Sequence, residues 1–311
     1  MARIFMTGAS GYIGSVVVEQ AIPKGYQIYA LSRSEASDEK IKAQGAVPIR
    51  GDLKFYDVLR EQSAQADIVL HLADAYAGNF GMDYAEVVRI DNAAVDAIGA
   101  GLDGSNKPLV ITSGTLVVAP TGRVTTEESA LWDKPLNDRI SSEQHALKLV
   151  NKGIKVSAVR LSPFVYGRGA SGVRLFMMMF ANGGEVFYVN DGDIKTSAVY
   201  VDDAAALFLL AAEKANAGDI FNATSINDVT TRELSEAMGS ILGLPVKSFS
   251  YDDTVSKFGE FLARFLNAEN QASGAKAKSQ LGWDPKGLGI IDDIKIGSYV
   301  AVAEGLKKPV A

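Results

Sequence analysis

The 311-residue chain contains no cysteine. Disulfides, thiolate metal sites and a cysteine nucleophile are therefore excluded, and the composition fits a protein that works in the cytoplasm. Only two histidines are present, His71 and His145, so a histidine-rich metal site is excluded as well. There is no excess of basic charge. The net charge is −6 with both signs mixed, so nucleic acid is not an expected partner. Long apolar runs are missing too. The longest, "AAALFLLAA" at 204–212, falls well short of the roughly 18 residues that span a membrane. The opening "MARIFMTGAS" breaks at a glycine too early for a secretory h-region, so neither a leader nor a membrane partner is expected. Apolar residues make up 47% of the chain, enough to build a full core.

Up to about residue 165, short apolar runs alternate with helical patterns. "ARIFMTG", "YQIYALSR", "AVPIRGD", "ADIVLHLA", "KPLVITSG" and "KVSAVRLSPFVYG" read as six strands, with amphipathic segments between them. One of those segments is a long helix over 83–102 and another covers 136–152. Strands separated by helices at this spacing predict a doubly wound parallel sheet, the α/β Rossmann arrangement. "DIVLHL" is apolar on both faces, as a strand covered on both sides should be. Beyond 165 the pattern changes to helices and isolated strands. This predicts a nucleotide domain over 1–165 and a smaller, mainly helical substrate lid over 166–311. The strand–helix at 196–215 is expected to return to the first domain. "DDTVSKFGEFLARFLNA" reads as one amphipathic helix, and Thr230 or Thr231 should cap the helix that follows it in "TTRELSEAMGSILG".

"TGASGYIG" sets Gly8, Gly11 and Gly14 between the first strand and the first helix. Glycines there allow a tight turn and let backbone N–H groups approach a pyrophosphate, with the helix N-terminus adding a favourable partial charge. A plain glycine turn is the alternative. An acidic residue ending the second strand would hold a free ribose 2′-hydroxyl, but the strand ends in Ser32, Arg33 and Ser34. Arg33 can pair with a 2′-phosphate, which favours NADP (NADPH) over NAD. A solvated loop arginine is the alternative. Asp52, ending the third strand, could accept from an adenine amino group or simply hold a turn.

"TGASGYIG", "GDL" (51–53), "HLA" (71–73), "ITSG" (111–114), "RLSPFVYG" (160–167), "YVDDAA" (200–205) and "LGWDP" (281–285) occur together and in order. The set resembles the extended short-chain dehydrogenase/reductase family, of the NAD-dependent epimerase/dehydratase kind. The resemblance implies that Gly8, Ser10, Gly11, Tyr12, Ile13 and Gly14 wrap the pyrophosphate and that Asp52 and Leu53 flank the adenine. It implies that Leu72, Ala73 and Asp74 line the adenosine ribose and the diphosphate. Thr112 and Ser113 would lie under the nicotinamide ribose, and Pro163 and Phe164 beside the carboxamide. A homodimer is expected from the resemblance alone.

The family's proton donor is a tyrosine followed four residues later by a lysine, and none of the eleven tyrosines here has that partner. The matching place in "LNDRISSEQHALKLVNKG" carries Arg139 and Glu143, which resembles an atypical branch of the family. Arginine stays protonated up to a pKa above about 12, so it cannot donate the proton, but it can hold an oxyanion or a carboxylate. Glu143 could accept from ribose hydroxyls. An exposed i,i+4 ion pair between the two is the alternative. Ser113, Thr115 and Tyr166 are candidates for the hydroxyl role, with Tyr76 and Tyr200 behind them. An apolar substrate wall is expected from Trp132, Phe176, Met177, Met178, Met179, Phe180 and Tyr188, although the same residues could form core. His71 reads as a core residue and His145 as a surface one.

These features imply an NADP(H)-dependent oxidoreductase with a modified active site, acting on a small apolar carbonyl or conjugated substrate. A non-catalytic NADP(H)-binding sensor or scaffold is the second reading. A nucleotide-sugar epimerase or dehydratase is the third, weakened by the missing tyrosine.

Overall fold

The computed structural model describes residues 1–76 and 81–307. Seven strands form one parallel sheet in the order β10-β6-β5-β4-β1-β2-β3. They are β1 (Arg3–Thr7), β2 (Gln27–Ser32), β3 (Val47–Arg50), β4 (Ile68–His71), β5 (Pro108–Gly114), β6 (Lys155–Leu161) and β10 (Ile220–Ala223). Every residue of β4 is buried, as expected for a strand covered on both faces. The crossovers are α1 (Tyr12–Ala21), α2 (Glu35–Ala43), α3 (Tyr56–Gln65), α4 (Tyr84–Leu102) and α5 (Arg139–Leu147). The strand order reverses between β1 and β4, where an open α/β sheet binds its ligand.

Two differences from the sequence reading concern this sheet. "KVSAVRLSPFVYG" is not one strand. It breaks at Ser162–Pro163, where proline has no N–H to continue the ladder. The piece beyond, β7 (Phe164–Tyr166), joins a second sheet with β9 (Lys195–Tyr200) and β11 (Ile226–Thr230). Second, "DIFNATS" does not belong with the smaller unit. As β10 it pairs with β6 along Ala158–Leu161 and forms the edge of the main sheet.

The intervening helix α7 (Val201–Lys214) packs with α1 under the same sheet. Its Asp203 anchors the "LGWDPKG" turn. The two carboxylate oxygens accept from Lys286 N and Gly287 N at 2.8 and 2.9 Å, and the Asp203 carbonyl accepts from Trp283 Nε1 at 2.8 Å. A Cβ on Gly287 would lie 2.2 Å from the Tyr200 Cβ, so that turn requires glycine.

The remaining chain builds α6 (Ser171–Gly183), β8 (Val186–Val189), α8 (Thr231–Leu242), β12 (Val246–Phe249), α9 (Tyr251–Phe258), α10 (Glu260–Leu266), α11 (Ala275–Leu281), α12 (Ile290–Ile296) and α13 (Val300–Lys307). Thr230 caps α8 in a capping box with Glu233. The run at 252–268 is two helices, not one. Gly259 adopts φ +89 between α9 and α10 and re-aims the second. The methionine run is core rather than cavity wall. Met177 and Phe180 are buried in the cluster around Phe187, Leu234 and Met238, Phe176 and Met179 pack against it, and Met178 is exposed. Among the described residues no helix is long and apolar enough to cross a membrane.

Candidate active site

Two cavities meet above the carboxyl ends of β1, β4 and β5. The first, of about 600 Å³, runs along the glycine loop. The second, of about 350 Å³, lies between the end of β5 and helix α10. Leu72, Ala73, Asp74, Thr112 and Leu161 line both, so the two form one cleft with a shared middle.

The first cavity gathers Gly8, Ser10, Gly11, Tyr12, Ile13 and Gly14, then Arg33, Asp52 and Leu53. All of these were singled out in the sequence for dinucleotide binding. The loop is as tight as the glycine spacing implies. Gly8 has φ +76, and a Cβ on Gly14 would lie 2.1 Å from the Gly8 carbonyl oxygen. No side chain caps the start of α1, leaving its first turn available to an anion. Tyr12 donates its hydroxyl to the Gly167 carbonyl at 2.8 Å, tying the loop to the chain beyond β7. Arg33 is exposed and has no ion-pair partner among the described residues. Asp52 accepts from Lys54 N at 2.7 Å, so it holds its turn as well as facing the cavity.

The shared middle carries the charge. Asp74 accepts from Tyr76 N at 2.6 Å and is ion-paired with Arg139, the first residue of α5. Burial works against the Arg139 charge, but Asp74 and Tyr84 beside it outweigh that and keep the guanidinium protonated. Asp91 on α4 lies behind this pair and accepts from Ala75 N at 2.9 Å. Burial, reinforced by the Asp74 charge, pushes the Asp91 carboxyl up to about 7.

Ser113 lines the second cavity, but its Oγ is closed off from solvent in this rotamer and has no hydrogen-bond partner among the described residues. A buried hydroxyl without a partner costs free energy unless something else bonds it. Thr112 is committed, donating to the His71 carbonyl at 3.2 Å. Asn137, Pro163 and the apolar side chains of Leu116, Val117, Leu136, Phe261 and Phe265 complete the walls.

Several expected residues lie elsewhere. Glu143 does not reach the cleft and does not pair with Arg139. It is 3% exposed and grips Arg160 of β6 through two bonds of 2.8 and 2.6 Å. An arginine inside a covered strand needs a carboxylate, and that demand turns Glu143 inward. Thr115 is fully buried and donates to Asn270 Oδ1 at 2.9 Å. Tyr166 is also fully buried. Its hydroxyl donates to the Leu288 carbonyl at 2.7 Å, and its ring meets Tyr200 edge-on. Phe164 packs with Phe176 and Phe265 in the core of the smaller unit instead of facing a carboxamide. Neither cavity is lined by Tyr76, Tyr200, Trp132 or Tyr188.

His71 is buried, bonded to Thr7 Oγ1 at 2.8 Å, and pushed down to about 4 by burial. His145 bonds Asp96 at 2.9 Å, away from the cleft. No cluster of three acidic or histidine side chains able to hold a metal exists among the described residues. The residues missed in the sequence are mainly Asp91, Asn137, Phe261 and Phe265. Only the two phenylalanines left a trace there, as an i,i+4 pair.

The two buried groups give opposite pH effects. The folded state prefers protonated Asp91, so its contribution to stability is lost as pH rises from the unfolded value near 3.9 through about 7. The folded state prefers neutral His71, so its contribution is lost as pH falls from about 6.5 toward 4. Between these limits the two slopes oppose each other. Asp91→Asn should therefore gain stability relative to the parent as pH rises from 5 to 8, read as the difference in Tm across that range. A difference independent of pH would show that Asp91 does not titrate there.

The model of the NAD dependent epimerase/dehydratase family matches residues 4–224. An uncharacterised protein of Schizosaccharomyces pombe is 35% identical over 298 residues, covering 96% of this chain and 99% of its own. The sterol-4-alpha-carboxylate 3-dehydrogenase (decarboxylating) of Dictyostelium discoideum is 25% identical over 248 residues, covering 75% of this chain and 74% of its own. Among solved structures, the UDP-glucose 4-epimerase of Thermotoga maritima superposes with a TM-score of 0.76 at 21% identity, over 96% of this chain and 98% of that one. That last likeness is one of fold. With the glycine loop, the parallel sheet and a family match over most of the sheet, the chain belongs to the NAD dependent epimerase/dehydratase family.

Proposed function

We propose that this protein is an oxidoreductase that uses a nicotinamide dinucleotide, NADP(H) in preference to NAD(H), to interconvert a small apolar carbonyl compound and its reduced form. The meeting of the two cavities at Asp74 and Thr112, with an unpartnered Ser113 hydroxyl just beyond, carries this reading. The first cavity fits the dinucleotide, because its glycines leave room that side chains would fill and the start of α1 is uncapped. When bound, the nicotinamide supplies or accepts a hydride. Gly8, Gly11 and Gly14 would hold the diphosphate, Asp52 and Leu53 the adenine, and Arg33 the 2′-phosphate. Thr112 and Leu161 line the passage between the cavities.

Ser113 Oγ, once turned about χ1 into the cavity, and the Arg139 guanidinium would hydrogen-bond the substrate oxygen and stabilise the charge that develops on it. Neither is an acid near neutral pH, so the proton would be drawn from water. This is slower than donation by a positioned acid, which contributes about 10²–10⁴-fold. The relative named as a sterol-4-alpha-carboxylate 3-dehydrogenase supports the reaction class. A nucleotide sugar is disfavoured by charge. Among the described residues the only cation lining the second cavity is Arg139, and Asp74 already matches it. A pure sensor would leave a second, walled cavity without a use. The cysteine-free composition suits a cytoplasmic setting.

The reading is tested by NADPH oxidation against aldehydes, ketones and enones. Tight NADPH binding with no turnover of any of them would favour the sensor. For cofactor choice, Arg33→Ala should weaken NADPH about tenfold or more and NADH by less than about threefold, since a charge-assisted pair is worth roughly 1.5–3 kcal/mol. Equal losses for both, measured by fluorescence titration, would remove Arg33 from the 2′-phosphate site.

A further inference from the structure

The outer wall of the second cavity is aromatic and its inner end is polar. Phe261 and Phe265 stand four residues apart on α10, on one helix face, and both line the cavity. Phe265 is fixed from behind. It lies 6.3 Å from Phe176 with rings 20° from parallel and 5.7 Å from Phe164, and Phe176 stacks in turn on Phe180. Phe261 has no ring partner among the described residues and is 58% exposed at the cavity mouth, an unusual place for a large aromatic ring. Arg264 donates to the Pro135 carbonyl at 3.2 Å, which ties α10 to the loop bearing Leu136 and Asn137. At the other end are Ser113, whose Oγ reaches the cavity only after a turn about χ1, and Arg139, whose charge is matched by Asp74.

A ligand filling this space needs a hydrogen-bond acceptor at one end, no net charge, and a flat apolar body at the other. At about 350 Å³ the cavity is near the lower limit of ligand sites, so that body is one or two rings. We propose that the cavity binds a neutral aryl or conjugated carbonyl compound, its oxygen at Ser113 and its ring against Phe261 and Phe265, and that Phe261 selects it over saturated analogues. The proposal rests on the oxidoreductase reading for which end faces the cofactor. Ring-on-ring contact adds a preference beyond buried area of about 2- to 10-fold per pair.

The test compares acetophenone with cyclohexyl methyl ketone, which has the same carbonyl and a saturated ring. Binding of each is measured calorimetrically with and without saturating NADPH, in the full chain and in Phe261→Ala and Phe261→Tyr. Because Phe261 is exposed, both variants should fold, and circular dichroism checks this. The full chain should bind acetophenone at least about fivefold more tightly. Phe261→Ala should cut the preference by about 2- to 10-fold, leaving at most the share of Phe265, and Phe261→Tyr should keep it. Equal affinities, binding of neither ketone, or a preference undiminished in Phe261→Ala overturns the proposal. NADPH-dependent turnover without an aryl preference would refute the selection and leave the oxidoreductase reading standing. An aryl preference in a chain that does not bind NADPH would do the reverse.

Discussion

Replacing Glu143 by alanine should destabilise the fold by about 3–5 kcal/mol, the usual cost of stripping one partner from a buried ion pair. Both side chains of the pair are 2% exposed. Without Glu143, the Arg160 guanidinium keeps, among the described residues, only the Glu127 carbonyl at 3.2 Å, deep between α5 and β6. It cannot shed its proton to escape, because its pKa stays above about 12. The cost is therefore desolvation of a full charge. The double variant Glu143→Leu with Arg160→Met should recover most of the loss, since apolar replacement of a buried pair is often neutral. Arg139→Ala, four residues earlier, should change stability by about 1 kcal/mol or less, because both members of its pair with Asp74 remain partly open to solvent. Urea unfolding of the four proteins measures all of this. A Glu143→Ala protein of unchanged stability and impaired NADPH binding would return Glu143 to the cleft.

That contrast also shows what the sequence could reveal about this helix. The four-residue spacing of Arg139 and Glu143 suggested a shared face and a shared task. In the structure one faces the cleft and the other faces β6. The deciding residue is Arg160, 17 positions further along, and it looked like an ordinary member of "AVRLSP". Pairings across the sheet leave no periodic mark in a single sequence, so buried polar partners are invisible until topology brings them together. Thr115 with Asn270, and Tyr166 with the Leu288 carbonyl, are the same case over 155 and 122 residues. Each was a plausible hydroxyl donor, and each is consumed by a distant partner.

The parallel sheet and the glycine loop were legible because their causes are local. The alternation of apolar runs with helical periods fixes crossovers, and the glycines at 8, 11 and 14 fix a turn whose reason can be checked in contacts of 2.1–3.1 Å. Segments whose neighbours are remote were read less well. β10 falls in the stretch beyond 165 assigned to the smaller unit, yet it extends the main sheet beside β6. The methionines at 177–179 are open to wall or core in the sequence; the core of the smaller unit takes Met177, with Met179 packed against it, and Met178 stays exposed. The actual wall comes from α10, whose orientation depends on the positive φ of Gly259. A glycine inside an amphipathic run can be tolerated or can end a helix, and only the packing around Phe265 decides between them here.

Arg139→Ala should lower kcat/KM for NADPH-dependent carbonyl reduction by about 10²–10³-fold, the usual cost of losing a charged oxyanion donor in a partly dry site. The loss has two parts. The substrate oxygen loses its cation, and Asp74, now unpaired, points a negative charge into the middle of the cleft. Asp91 behind it worsens this above about pH 7, once its own carboxyl ionises. The defect should therefore be larger at pH 8 than at pH 6. Combining Arg139→Ala with Asp74→Asn removes the stray charge and should restore part of the activity. Ser113→Ala removes a neutral donor and should cost less, about 10–10²-fold, with the Kd for NADPH nearly unchanged. Because both groups would bond one oxygen, the double variant Ser113→Ala, Arg139→Ala should lose less than the product of the single effects. Multiplicative losses would place the two side chains on different parts of the substrate. Full activity in Arg139→Ala at both pH values would leave the guanidinium with only a structural partner in Asp74 and would move the oxyanion site to Ser113 and Asn137.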